Sequence, residues 1–322
     1  MRGLPRPILL ILKISVAAGL IAWLIGSGRL DLSTPALDLL SSYFILGFVA
    51  YLGSVVPTIV RWQRLLHMYR LDFSLWRITR WIWIAEFFAL VLPGGTGAEL
   101  SRGYYVYRST PDLKAAALST VFIDRVFGLW ALLLLGTIAF GVLYVRAPDT
   151  TGTLAWAGMA TALLFAGTSA FFLVLGLTPF QQAFYRFVPG RIRAIVEPVT
   201  AVYGHERKTM LLAILLSLTS QLSLMTSFLG AAWIVGGEVT WIAVFAAVPV
   251  IYISNYLPIA PGGIGVGEAA ASFLFAAAGV ANGAAIMLVV RMWIVIVQLS
   301  GGLVYLLHRE PGSEGTDGAN AR

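Results

Sequence analysis

The chain has 322 residues, 59% hydrophobic and 11% charged, with a net charge of +7 and no cysteine. Its mean hydropathy is +0.85. Such a composition excludes a water-soluble domain, the missing cysteines exclude disulfides and thiolate metal sites, and the positive charge reads as cytoplasmic loops and not as nucleic-acid binding.

Apolar segments of about 20 residues, the length that crosses a bilayer, fall at 7–26, 40–60, 115–145, 153–176, 209–235 and 284–307. They lack the alternation of a β-barrel, so the expected fold is all-α and polytopic. The first segment has no small-residue cleavage site and reads as a retained helix. After the second, residues 61–78, "RWQRLLHMYRLDFSLWRI", read as an amphipathic connector at the interface, with Arg61 and Arg64 as interfacial contacts. The run "WIWIAEFFALVL" that follows is too short to cross. Next comes "LPGGTGAE" (92–99), then the short charged run "LSRGYYVYR". Residues 80–108 are therefore expected to form a re-entrant helical hairpin. Residues 177–208 hold a second amphipathic stretch, with Ile192, Ile195, Val196, Val199 and Val202 at helical spacing. Region 239–281 contains "IAPGGIGVGE" (259–268) and one charge, Glu268. Its arms are either two full spans or a second re-entrant hairpin. The polar tail, 309–322, is expected to be disordered and cytoplasmic.

Lysines and arginines assign the sides. Arg61, Arg64, Arg70, Arg77 and Arg80 follow the second span, Arg108 and Lys114 the first hairpin, and five more lie in the 177–208 loop. The opposite loops hold only Arg29 and Arg146. Both termini are then cytoplasmic. The assignment holds only if each odd region returns to the side it left, the first entering from the cytoplasm and the second from outside. The predicted architecture is about six full spans plus two re-entrant hairpins in inverted repeats. One transmembrane domain covers 1–308, with repeat A at about 40–145 and repeat B at about 209–307. Arg125 lies 32 residues after Pro93 and Arg291 lies 30 after Pro261, each in the span after its hairpin. Inverted repeats with broken helices are the architecture of secondary transporters, with the site at the midplane.

The ionisable residues set in apolar sequence are Glu86, Glu99, Arg102, Asp124, Arg125, Glu268 and Arg291. Charges at that depth cost several kcal/mol, so they face cavities and pair. Glu99 with Arg125 and Glu268 with Arg291 are the expected pairs, and Asp124 is a third carboxylate for pairing or coupling. Either the pairs lock the hairpins or they belong to a ligand site. Gly94, Gly95, Gly262 and Gly263 would expose backbone N–H groups at helix starts, a geometry that holds anions. With Arg102, Arg125 and Arg291 they would make a positive site in an apolar cavity, suited to the phosphate of a lipid headgroup. The carboxylates would hold the arginines when the site is empty, or carry a coupling proton. No catalytic residue, cofactor or metal site is expected: the three histidines form no ligand pair, and no Walker motif is present.

"RWQRLL", "LPGGTGAELSRGYYVYR", "DRVFGLWALLLLG" and "PIAPGGIGVGEAAASFLF", in this order, resemble the lysylphosphatidylglycerol synthase transmembrane-region family, the flippase-like domain, over about residues 5–308. The family's charged motif positions map onto Arg61, Glu99, Arg102, Asp124, Arg125 and Glu268. The resemblance implies a protein of the bacterial inner membrane that handles lipids, often by moving them between leaflets. It includes the flippase half of multiple-peptide-resistance proteins and stand-alone members linked to hopanoid or glycolipid pathways. No soluble aminoacyl-transfer domain follows in these 322 residues, so lysyl transfer by this chain alone is not expected. The expected function is translocation of an anionic phospholipid or polyprenyl-phosphate lipid. The rival is a non-transporting subunit that supports hopanoid, glycolipid or aminoacyl-lipid synthesis. The expected partners are an anionic membrane lipid, with a lipid-biosynthesis enzyme and a second copy of the chain left open, and no nucleic acid.

Overall fold

The computed structural model describes residues 41–91, 96–146, 152–176, 206–236, 239–255 and 263–307, and four positions at 179, 180, 182 and 186. The predicted span 7–26, the amphipathic stretch at 192–202 and the tail from 309 lie outside the described residues, as do Gly94, Gly95 and Gly262. Among the described residues the fold is all-helical. In chain order the helices are α1 (Ser42–His67), α2 (Leu75–Val91), α3 (Gly97–Ser109), α4 (Lys114–Arg146), α5 (Thr153–Gly176), α6 (Arg207–Ile234), α7 (Trp241–Asn255), α8 (Val266–Ala277) and α9 (Gly283–Leu307).

Length separates them into two kinds. At 1.5 Å per residue, α1, α4, α5, α6 and α9 run roughly 36–50 Å, more than the ~30 Å hydrocarbon core. All five are apolar enough to cross a membrane. The other four have 17, 13, 15 and 12 residues, about 18–26 Å, so each stops short of a full crossing. They come as two consecutive pairs, α2 with α3 and α7 with α8, and the members of each pair pack on each other. The described residues of region 239–281 are therefore half-length helices like those of region 75–109.

The packing is reciprocal. The first arm of each hairpin lies on the long helix of the other unit, α2 on α9 and α7 on α4. The second arm of each lies on the long helix of its own unit, α3 on α4 and α8 on α9. The first long helices, α1 and α6, pack on each other. They run antiparallel: Tyr43 meets Trp233, Ser54's carbonyl accepts from Ser220, and Arg61 donates to Ser217. This is the contact pattern of two units exchanged by a two-fold axis across the helices. Glycines permit the close approaches. A Cβ at Gly302 would fall 2.8 Å from the Phe87 ring of α2, and one at Gly136 would fall 2.6 Å from Pro249 of α7. Gly136 follows Arg125 by 11 residues and Gly302 follows Arg291 by 11, so the two occupy one register.

Helix α1 corrects the connector reading. It continues to His67, and Arg61, Trp62, Leu65 and Leu66 on it are buried. A buried arginine needs a counter-charge, and Asp124 on α4 provides it. Arg61 is thus an interior residue and not an interfacial one, whereas Arg64 is exposed.

Candidate functional site

Both expected ion pairs form. Glu99 sits in the first turn of α3, the arm after the first glycine-rich turn. It pairs with Arg125 of α4. Glu268 occupies the same position on α8 and pairs with Arg291 of α9, Nε to Oε1 at 2.8 Å. Each pair therefore ties the second arm of a hairpin to the long helix behind it. A carboxylate in the first turn also faces the positive end of its helix.

The surroundings of the two pairs differ. Arg291 further lies 3.2 Å from the Asn255 side chain at the end of α7, the Gly263 carbonyl and the second Glu268 oxygen. That oxygen also accepts from the Gly265 N–H at 2.7 Å. The turn folds this tightly because Gly263 and Gly265 take φ of +69° and +83°, which residues with a Cβ rarely adopt. Gly267 leaves room for Asn255, whose Oδ1 would sit 2.2 Å from a Cβ there. Arg291 and Glu268 are only 12% and 0% exposed, against 39% and 24% for Arg125 and Glu99. The second pair is a closed lock; the first is the more exposed of the two.

Beside the more exposed pair is a buried triad. Asp124, the neighbour of Arg125 in sequence, accepts from Arg61 Nε at 2.6 Å and from Arg102 at 2.8 Å. Arg61 also donates to Ser217 of α6 at 2.8 Å. The Arg102 guanidinium lies 4.2 Å from the centre of the Trp62 ring, and Trp62 donates to Thr120. The triad thereby ties α1, α3, α4 and α6 together. Asp124 lies within α4 and not at its end. Glu86, on α2, is half-buried. Among the described residues it has no hydrogen-bonding or ion-pair partner.

Two further expectations change. Arg102 is not a free headgroup contact, since it is buried, bonded to Asp124 and covered by Trp62. Arg291 is not one either, because its donors are already engaged around Glu268. Gly263 presents its carbonyl to Arg291. The turn residues 92–95 and 256–262, on which a site shared by both hairpins would depend, lie outside the described residues; α3 and α8 each pack on their own unit's long helix. Of the three predicted headgroup arginines Arg125 is the most exposed, at 39%, and it pairs with Glu99. Asn255 had no sequence signal beyond its place before a glycine-rich turn. The triad could have been read from "DR" on α4, since two adjacent charges on a helix face different sides and need different partners. Among the described residues no group of three His, Asp or Glu is placed to hold a metal ion.

Long apolar helices interleaved with two half-length hairpins and buried charge networks define a polytopic membrane protein with broken-helix units. More narrowly, the chain belongs to the family described as the lysylphosphatidylglycerol synthase TM region, whose model matches residues 10–302. No curated protein and no solved structure matches the chain.

Proposed function

We propose that the chain is a lipid translocase that moves an anionic phospholipid or a polyprenyl-phosphate lipid between the leaflets of a bacterial inner membrane. The observation that carries this reading is the more exposed Arg125–Glu99 pair set beside the closed Arg291–Glu268 pair. Arg125 keeps 39% of its side chain exposed, whereas both carboxylate oxygens of its partner Glu99 are buried. A headgroup phosphate can compete for that guanidinium, and phosphate takes an arginine in bidentate fashion. Half-length helices that stop within the bilayer leave polar backbone where it can line a path for a headgroup. The acyl chains meanwhile remain in lipid. The reading is of a carrier and not of an enzyme, because Glu99, Asp124 and Glu268 are all placed against guanidinium groups.

The mouth of the first hairpin supports an orientation. Arg77 at the start of α2 donates to Ser109 at the end of α3, and Lys114 at the start of α4 lies over Tyr107. Arg64, Arg70 and Arg108 are exposed on neighbouring helix ends. This basic rim supports a cytoplasmic opening and cytoplasmic termini.

The test is loss of leaflet asymmetry of a tail-labelled phosphatidylglycerol in vesicles that contain the purified protein. Wild type is expected to move the probe well above protein-free vesicles, and Arg125→Ala to lose at least tenfold of that rate. A wild-type rate equal to that of empty vesicles would sink the translocase. Retained lipid binding in that event would favour a subunit that presents lipid to a separate biosynthetic enzyme.

A further inference from the structure

Counted from Glu99 and Glu268, helices α3 and α8 occupy one register, and they expose the same positions. Tyr104, Tyr107 and Arg108 of α3 correspond to Phe273, Ala276 and Ala277 of α8, and all six are exposed. Positions three and four apart share one side of a helix. On α8 that face is wholly apolar, and residues 269–290 carry no charge. Hydrocarbon alone can cover it. The face of α3 is of another kind. It starts at the exposed Leu100, passes two phenols and ends on a guanidinium.

These polar groups hold one another in place. Arg108 donates to the Tyr104 hydroxyl at 2.8 Å, with its guanidinium 5.7 Å from the centre of that ring. The hydroxyl accepts in this contact, which leaves its own hydrogen for a further acceptor. Lys114, the first residue of α4, lies 4.7 Å from the centre of the Tyr107 ring. One turn on, Leu118 lies 3.3 Å from where a Cβ of Gly103 would stand, so its exposed side chain adjoins α3. Arg77 of α2 donates to Ser109 and brings a third cation to this end of the hairpin. Asp112 is the carboxylate of the turn at 110–113.

A phenol ring is amphipathic and settles where hydrocarbon gives way to headgroups. Cations held over such rings stand at headgroup depth, where they meet phosphate oxygens. Leu100 and Leu118 continue the face with apolar surface. Cationic and phenolic at one end and apolar at the other is the profile of a single phospholipid, and the charge selects an anionic one. Lys114 precedes Arg125 by 11 residues on one helix, about 16 Å, so a phosphate held there is not at Arg125.

We propose that the outer face of α3, with Lys114 and Leu118 of α4, is a docking site for an anionic phospholipid. Arg108 and Lys114 hold the phosphate, the Tyr104 hydroxyl donates to it, and the acyl chains lie along Leu100 and Leu118. The site is separate from Arg125, and it stands whether or not the bound lipid is then moved.

The test measures binding of dihexanoyl phosphatidylglycerol to the purified full chain in detergent, with dihexanoyl phosphatidylcholine as the zwitterionic reference. Arg108→Gln combined with Lys114→Gln should weaken phosphatidylglycerol binding about tenfold and leave phosphatidylcholine binding unchanged. Arg207→Gln combined with Lys208→Gln removes the same charge at the start of α6, on the side where α1 ends. That control should weaken binding by less than about twofold, because charges away from the site are screened. Equal losses in the two double variants would mean surface charge and no site, and would overturn the proposal. A phosphatidylglycerol with a photoreactive acyl chain, in vesicles containing wild type, should label residues 97–122 more than the matching phosphatidylcholine does. Equal labelling by the two lipids overturns the proposal without any variant having to fold. The loss in the Arg108 and Lys114 double variant should recur in an Arg125→Ala background. A loss confined to chains that keep Arg125 would show that the two cations act through Arg125, which overturns a separate site and leaves the Arg125 reading standing.

Discussion

The two broken-hairpin units share a scaffold and differ in what fills it. Glu99 and Glu268, Arg125 and Arg291, Gly136 and Gly302 each occupy one register. One step from these anchors the units diverge. Three residues after Glu99 comes Arg102, and three after Glu268 comes Ala271. The residue before Arg125 is Asp124, and the one before Arg291 is Val290. Ala271 and Val290 are fully buried in the largest apolar cluster, with Phe228, Phe275 and Trp293. Where the first unit holds a charged triad, the second holds hydrocarbon. A duplicated Glu–Arg pair is therefore not in itself a functional mark. The ring of Asn255, Gly263 and Gly265 makes the second copy a lock, whereas Arg125 in the first keeps 39% of its side chain exposed.

That contrast can be broken in order of expected effect. The largest loss should come from Asp124→Ala, which leaves Arg61 and Arg102 buried without a counter-charge; about 3–5 kcal/mol of stability is at stake. A collapse of thermal stability in detergent is expected, and near-wild-type melting would mean that the triad is not structural. Arg291→Met should follow at about 3 kcal/mol, since it strands Glu268, a carboxylate with no exposure. Its lipid movement per folded molecule should stay within about threefold of wild type. A tenfold loss in a stable Arg291→Met protein would make the second pair part of the site and erase the distinction.

Gly301→Ala sharpens the comparison at the level of packing. A Cβ there would fall 2.0 Å from the Trp83 carbonyl of α2. Backbone cannot yield as a side-chain tip can, so about 1–3 kcal/mol should be lost as α2 and α9 separate. Gly141→Ala on α4, where nothing lies within 4 Å of the new Cβ, is the matched control and should be neutral to stabilising by up to about 1 kcal/mol, because alanine is the better helix former. The smallest stability effect among the charge variants is expected from Arg125→Ala. Arg125 is the more exposed of the two paired arginines, at 39% against 12%, so its loss should cost less than that of Arg291, while transport should fall at least tenfold. Unfolding of Arg125→Ala to the extent of Asp124→Ala would show that both pairs are locks.

Composition and apolar run length determined the class, the five described spans to within a few residues at most ends, and both hairpins. They could do so because a bilayer penalises every unpaired backbone group, and only helices of a definite length satisfy that demand. Spacing also determined the partners Glu99–Arg125 and Glu268–Arg291, since each pair lies at matching distances from a turn that only Pro and Gly can make. The sequence was silent on three points that the tertiary structure decided. Arg61 read as the start of an interfacial connector because its partner Asp124 lies 63 residues away, and only packing of α1 on α4 joins them. Arg102 read as a free cation because the ring of Trp62 and the carboxylate of Asp124 that engage it belong to other helices. The inequality of the two arginines was hidden because exposure is not a property of a residue and its neighbours in sequence. It depends on which donors and acceptors from distant helices fill the surrounding space, and that is set only when the hairpins dock.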